Sequence, residues 1–244
     1  MPPRPHPTVS RVVVILETVA ARPEGVTLSA LARMVGIPKS TVHTLTQGLL
    51  ATDYLYERAG LLFLGPGIEL LTMPLGDHPL ERLAHDELER LAADTGETAQ
   101  LAVRSGDNLV VIDQVESAQE IRYAVPLRSR RPLLTTSMGK LFLADLGADE
   151  LTSFLEERGE LATPSGKTIL AERDTIRESG VAFNLEESVA GVCAAAAAVR
   201  GASGKVVAAL VVAGPAARIR PQAEAVAARL RKTAERLSDR LARG

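Results

Sequence analysis

The sequence predicts an α+β fold in two parts, and three observations carry that expectation. Apolar residues recur at helical spacing from Val12 to Leu49 and then give way to two short apolar stretches that read as a hairpin. A fresh amphipathic segment begins at Leu80 and leads into longer apolar runs separated by glycine turns. Those later strands and helices come in separate groups, which argues for an antiparallel sheet with helices laid on it.

At 244 residues, 46% apolar and 24% charged, the chain can bury a proper core without disulfide or metal staples. Its single cysteine, Cys193, rules out an internal disulfide, and four scattered histidines show no metal-ligand spacing, so no metal or cofactor is expected. No apolar run reaches bilayer length and no charged, apolar, small-residue leader opens the chain. The expectation is a cytoplasmic protein with no membrane partner. Lys and Arg number six against five acids up to Leu75, and 22 against 25 beyond it. The first part is thus weakly positive and the rest acidic. That balance permits DNA binding without showing it, because a few placed phosphate contacts suffice when subunits pair.

Met1 to Pro7, with four prolines, reads as a non-helical mobile arm. Thr8 or Ser10 could cap a first helix with Val12, Ile15, Leu16 and Val19 on one face. Pro23 to Gly25 breaks it. A second helix follows Thr27, with Leu28, Leu31 and Val35 inward, and stops at Gly36. Pro38 sits where a third helix starts, at a position that tolerates its missing N–H, and that helix runs to about Thr52 with Val42, Leu45 and Leu49 buried. Tyr54–Tyr56 and Leu61–Leu64, joined across Glu57 to Gly60, are the hairpin.

The segment LSALARMVGIPKSTVHTL carries the most information. Ala32 is small where two helices must approach closely. Gly36, four residues on, allows the left-handed backbone of a tight turn. Val42 and Leu45 stand ten and thirteen residues after Ala32, where the two-helix unit needs apolar side chains. With that inward set assigned, Lys39, Ser40, Thr41, His43, Thr44 and Gln47 face out at a helix N-terminus, where the dipole and free N–H groups also favour phosphate. Singly, each reads as a solvated residue. As a set followed by a hairpin, they read as the DNA-entering helix of a winged helix-turn-helix, with Arg58 at the wing tip as a phosphate or minor-groove contact. Arg4 in the prolyl arm is the weaker candidate of this kind.

Beyond Gly65-Pro66-Gly67, Ile68 to about Leu75 reads as helix and Gly76 to Pro79 as linker. A long helix from Leu80 leads to strands at Thr98–Ser105 and Leu109–Glu116, then a strand near Ile121–Val125. Helices are expected at Met138–Leu146, Asp149–Arg158 and Ala171–Ser179. Strands at Val192–Arg200 and Lys205–Ala213 precede a closing helix, Gln222–Leu241.

GIPKSTVHTL, TGETAQLAV, RRPLLTTSMGK, EESVAGVCAAAAAVR and AALVVAGPAAR occur here in the order and spacing of the IclR family of transcription regulators, which the chain resembles over nearly its whole length. The resemblance implies a winged helix-turn-helix over residues 1–67, a linker helix over 68–79, and a GAF/profilin-like effector-binding and oligomerisation domain over 80–244. It also implies a palindromic operator, a small-molecule effector, and assembly as a homodimer or dimer of dimers. The first helix departs slightly, with Val-Val-Val after Arg11.

One of the Thr136 and Ser137 hydroxyls is expected to cap the helix after it. Gly139-Lys140 is no nucleotide loop, since the upstream glycine and following Ser/Thr are missing. The resemblance adds that Ser137 and Met138 line the ligand site. The positions implied for its opposite wall are Asn184, Ala194, Val211 and Ala213, where acid-sensing relatives place a carboxylate and polar side chains. An Ala/Val wall offers little to offset desolvation of a small anion, which points to a larger, more apolar effector with one polar end near Ser137 and Asn184. The alternative is a wall that merely fills the strand core. Cys193 and Glu186-Glu187 read as a buried packing residue and a solvated turn. Two other functions stay open: a hydrolase, against which stands the lack of Gly-x-Ser-x-Gly, and an interaction protein with a degenerate winged helix.

Overall fold

The structure, a computed structural model, describes residues 6–72 and 78–243, which divide into two compact units. In the first, α1 (Pro7–Ala20), β1 (Val26–Thr27), α2 (Leu28–Val35) and α3 (Lys39–Ala51) precede β2 (Leu55–Arg58), β3 (Leu61–Leu64) and α4 (Pro66–Thr72). Pro7 itself opens α1 with His6 as cap residue, so neither Thr8 nor Ser10 caps it; a proline in the first turn loses nothing, because that N–H has no helical acceptor. Thr27 caps α2 by accepting from Ala30 N at 3.2 Å. Gly36 closes α2 at φ 66°, the left-handed turn its position requires.

Ile15, Val19, Leu31, Ala32, Val42, Leu49, Leu55 and Leu62 form the core of this unit. Leu45 is only partly buried, and Thr46 takes the inward position instead. Its hydroxyl is satisfied by donating to His43 O at 2.9 Å, so the polar group can be buried. Strand β3 is central, pairing with β1 and β2. The hairpin turn is tighter than the four residues expected: only Ala59 and Gly60 lie between the strands, both at positive φ (54° and 75°). That is the two-residue primed turn whose twist matches the strands.

The helix expected from Ile68 is α4, which begins at Pro66. The arm before His6 and the linker residues 73–77, with Arg4, Leu75 and Gly76, lie outside the described residues.

The second unit contains α5 (Pro79–Thr95), β4 (Thr98–Ser105), β5 (Asn108–Val115), β6 (Arg130–Pro132), α6 (Ser137–Ala144), α7 (Ala148–Glu157), α8 (Pro164–Ser179), β7 (Val181–Leu185), β8 (Val192–Arg200), β9 (Val206–Pro215), α9 (Ala216–Ile219) and α10 (Ala223–Arg243). Six strands form one sheet in the order β6-β5-β4-β9-β8-β7. The strand expected at Ile121–Val125 is not one. That segment is an irregular strap, and the partner of β5 is β6, paired Asn108↔Pro132 to Val110↔Arg130. Strand β7 was not anticipated, and α8 begins at Pro164 rather than Ala171, capped by Thr163.

Period-two alternation sorts the sheet's side chains to two faces. Ala102, Ala182, Ala196, Ala209, Val211 and Ala213 pack with α6, α7 and α8 in one apolar cluster. The opposite-parity residues, among them Leu101, Ala195, Ala197, Leu210 and Val212, are also buried, and α5 and α10 pack on strands of the same sheet. The alanine run of β8 is therefore buried on both faces, which explains the absence of polar alternation there. Cys193 is one of these buried residues.

Candidate nucleic-acid interface and ligand cavity

Five of the six residues expected on the α3 reading face, Lys39, Ser40, His43, Thr44 and Gln47, are exposed, and Thr41 is half-buried. The Thr44 hydroxyl donates to Ser40 O at 3.1 Å, which leaves its oxygen free to accept. Pro38 stands just before α3 in extended backbone rather than within its first turn, and its carbonyl accepts from Val42 N at 3.0 Å. The first turn of α3 therefore presents its N–H groups outward beside Lys39 and Ser40.

Arg58 ends β2 next to the turn, exposed, with its guanidinium 5.4 Å from the centre of the Phe63 ring. Tyr56 and Phe63 are cross-strand partners and stack at 5.1 Å. This pair, absent from the sequence reading, stiffens the wing and gives Arg58 a fixed base. Its signal was available: two aromatics placed symmetrically about a hairpin turn.

In the second unit the sheet register does the assembling. Asn184 pairs with Ala194, and Ala194 with Ala213, so three residues expected at the ligand wall stand in one row across β7, β8 and β9. The neighbouring row is Gln100, Val211, Ala196 and Ala182. Above these rows lies the N-terminus of α6, whose first turn packs closely on the segment leading into it: a Cβ on Gly139 would stand 2.0 Å from Leu133 O. Thr136 is the cap: its hydroxyl accepts from Gly139 N at 3.2 Å and donates to Pro132 O at 2.8 Å. Ser137, 1% exposed, is left with a hydroxyl that has no protein partner.

Ser137, Met138, Asn184, Ala194, Val211 and Ala213 all line one small cavity, of about 20 Å³, together with Gln100, Tyr123, Arg131, Thr136, Ser188 and Val192. That volume holds about one water, so any organic ligand must displace part of the wall. The Asn184 amide is committed to the protein: Nδ2 donates to Thr135 O and to Ser188 Oγ, and Oδ1 accepts from Glu187 N at 3.2 Å. It pins the loop after β7 rather than offering a free polar end.

Sequence reasoning missed Arg131, whose guanidinium donates to Tyr123 Oη at 3.1 Å and has no carboxylate within 4.0 Å among the described residues. It comes from β6, the strand that was misplaced. Roomier clefts of about 450 and 400 Å³ lie along α8 and α10, the first against β8 and the second against β7. The larger is edged by Arg177, Arg231, Glu235 and Asp239, and among the described residues neither has a buried side-chain N or O atom without a partner.

The Glu186-Glu187 pair is exposed in the bend after β7, as expected of a solvated turn, but both carboxylates are also paired. Glu187 meets the buried Lys140 ammonium at 2.7 Å, and Glu186 meets Arg220 at 2.6 Å. The Gly191 N–H and then Arg220 hold the Glu186 carboxyl below its usual range. His78 caps α5 by accepting from Leu80 N, while His85, inside the same helix, bonds Asp113 on β5, so the two histidines serve separate contacts.

An exposed helix after a tight turn, a braced wing and a separate sheet-and-helix domain are the parts of a transcriptional regulator with a helix-turn-helix DNA-binding unit and an effector domain. Two family models cover these units: the IclR helix-turn-helix domain matches residues 8–59, and the bacterial transcriptional regulator IclR C-terminal domain matches residues 73–239. The chain belongs to the IclR family.

It is 31% identical to the HTH-type transcriptional regulator TtgV of Pseudomonas putida over 76% of this chain and 73% of that one. It is 30% identical to the HTH-type transcriptional repressor AllR of Escherichia coli K12 over 79% and 74%. The crystal structure of the Thermotoga maritima IclR, 24% identical, covers 96% of this chain and 98% of its own at a TM-score of 0.63, a likeness of fold. Among the described residues no helix is long and apolar enough to cross a membrane.

Proposed function

We propose that this chain is a cytoplasmic, non-enzymatic regulator that binds a palindromic DNA operator as a homodimer or dimer of dimers, with affinity set by a small-molecule effector. The observation that carries the DNA reading is the exposed set Lys39, Ser40, His43, Thr44 and Gln47 on a helix that begins immediately after a left-handed turn. Its N-terminal end enters the major groove, half-buried Thr41 lies against the backbone, and Arg58 holds a flanking phosphate. The working boundaries are 1–67 for DNA binding, 68–79 for the linker and 80–244 for effector binding and oligomerisation. Effector occupancy reaches the DNA-binding units through the Gly67–Pro79 connector, a coupling typically worth about 1–3 kcal/mol.

The effector is larger and more apolar than a small keto acid. Met138, Val192, Ala194, Val211 and Ala213 give it an apolar bed, while Arg131 and Ser137 supply the polar end. Placing that end at Arg131 rather than Asn184 is supported by the Asn184 amide, whose two N–H groups and oxygen are all engaged by the protein. A gel shift on the DNA upstream of its own gene, with generic competitor DNA, tests the regulator reading. Retention that competitor does not abolish supports it. Indifference to DNA together with turnover of simple esters replaces it with the hydrolase.

A further inference from the structure

Gln100 sits on β4 facing the cavity, 0% exposed, and its two amide atoms have unequal fates. The cause lies one residue further out. Gln114 is held by the strap backbone at both ends of its amide: Val125 N donates to its Oε1 at 3.1 Å, and its Nε2 donates to Val125 O at 3.3 Å. Reversing the Gln114 amide would set donor against donor and acceptor against acceptor, so its orientation is fixed. Gln114 Oε1 then receives Gln100 Nε2 at 2.7 Å, which fixes the second amide in turn. Gln100 Oε1 is left buried, without a protein partner, as a lining group of the cavity. The only other lining atom in that condition among the described residues is the Ser137 hydroxyl, which rotates to donate or accept and so selects nothing by itself.

We propose that Gln100 is the specificity-determining residue of this cavity, and that it selects effectors carrying a hydrogen-bond donor, a hydroxyl or N–H, over otherwise identical molecules that lack one. The inference rests on the reading of this cavity as the effector site. A buried acceptor held in one orientation gains a bond from such a ligand and stays unpaired beside its deoxy analogue, and sites of that kind reject the analogue strongly. The Val125–Gln114–Gln100 relay also ties the selecting atom to the strap that carries Tyr123, so a donor seated on Gln100 bears on the segment closing the cavity.

The test uses full-length protein and calorimetric titration with matched acids: 4-hydroxybenzoate against benzoate, mandelate against phenylacetate, and lactate against propionate. The hydroxylated member of at least one pair is expected to bind about 10- to 100-fold more tightly than its partner. Gln100→Met removes the acceptor at similar volume, and Gln114 Oε1 keeps its Val125 N–H. That variant is expected to fold with undiminished Tm and bind both members of the pair alike.

Equal affinities in the unaltered protein, or discrimination that survives in Gln100→Met, overturn the proposal. Ala213→Leu, which fills the cavity, separates the two failures. Binding that persists at full strength in this variant places the effector elsewhere and overturns the cavity reading itself, as does no binding of any hydroxylated member at millimolar concentration.

Discussion

The Lys140 ammonium, 1% exposed, stands 2.7 Å from the Glu187 carboxylate, and Glu172 completes the pairing at 2.9 Å. The three residues join α6, α8 and the loop after β7, and two of those elements wall the cavity. Glu187 and Glu172 retain 30% and 45% exposure, so water reaches both acids but not the lysine. Replacing both acids by glutamine leaves an uncompensated buried charge and is expected to cost about 3 kcal/mol. Lys140→Met is expected to cost clearly less, because each freed carboxylate keeps solvent. Urea denaturation of the two variants checks the order; equal losses would contradict it.

Ala59 holds φ 54° in the wing turn, a left-handed conformation that a β-carbon disfavours. Ala59→Asn or Ala59→Gly is expected to raise the stability of the first unit by about 0.5–1 kcal/mol, since both residues suit that turn. Thermal denaturation reads the gain, and an unchanged or lower midpoint contradicts the turn assignment.

The hydrogen bond that Asp113 accepts from His85 raises the His85 pKa above 6.5; burial opposes it, and the charges of Asp113, Glu89 and Asp86 add to the rise. With the folded value raised, this stabilisation is full below the unfolded value of about 6.5 and is lost as pH climbs through the folded one. Half of the His85 side chain is exposed, so the effect is modest. Stability measured from pH 5.5 to 8.5 is expected to decline less in Asp113→Asn than in the unaltered protein. Parallel curves would show that the His85–Asp113 pair contributes nothing to the pH dependence.

On the DNA face, Lys39→Ala is expected to weaken specific and non-specific binding together and to lower the salt slope by about one. Anisotropy titrations over a range of salt concentrations check this. A selective loss of specific binding would make Lys39 a base reader instead.

Local steric rules made the first unit legible. Ala32, Gly36, Val42 and Leu45 are close in sequence, and their spacing alone demands two helices around a tight turn, even though Thr46 displaces Leu45 from the deepest position. The ligand wall came from family resemblance, and the strand register then explained why Asn184, Ala194 and Ala213 meet. What stayed hidden depends on long-range pairing. Lys140 finds its acids 32 and 47 residues away, and Arg131 reaches the cavity only because β6, not Ile121–Val125, pairs with β5. Strand β7 is five residues long with Asn184 inside it, too short and too polar to announce itself. Gln100 did leave a trace, as a lone amide in the apolar run from Ala99 to Val103.

Base reading by α3 is tested by the affinity of His43→Ala for the upstream DNA, measured against that for generic duplex at the same salt. The specific affinity is expected to weaken by about 1–3 kcal/mol with generic affinity nearly unchanged. Equal losses on both DNAs, or no loss on either, would contradict it.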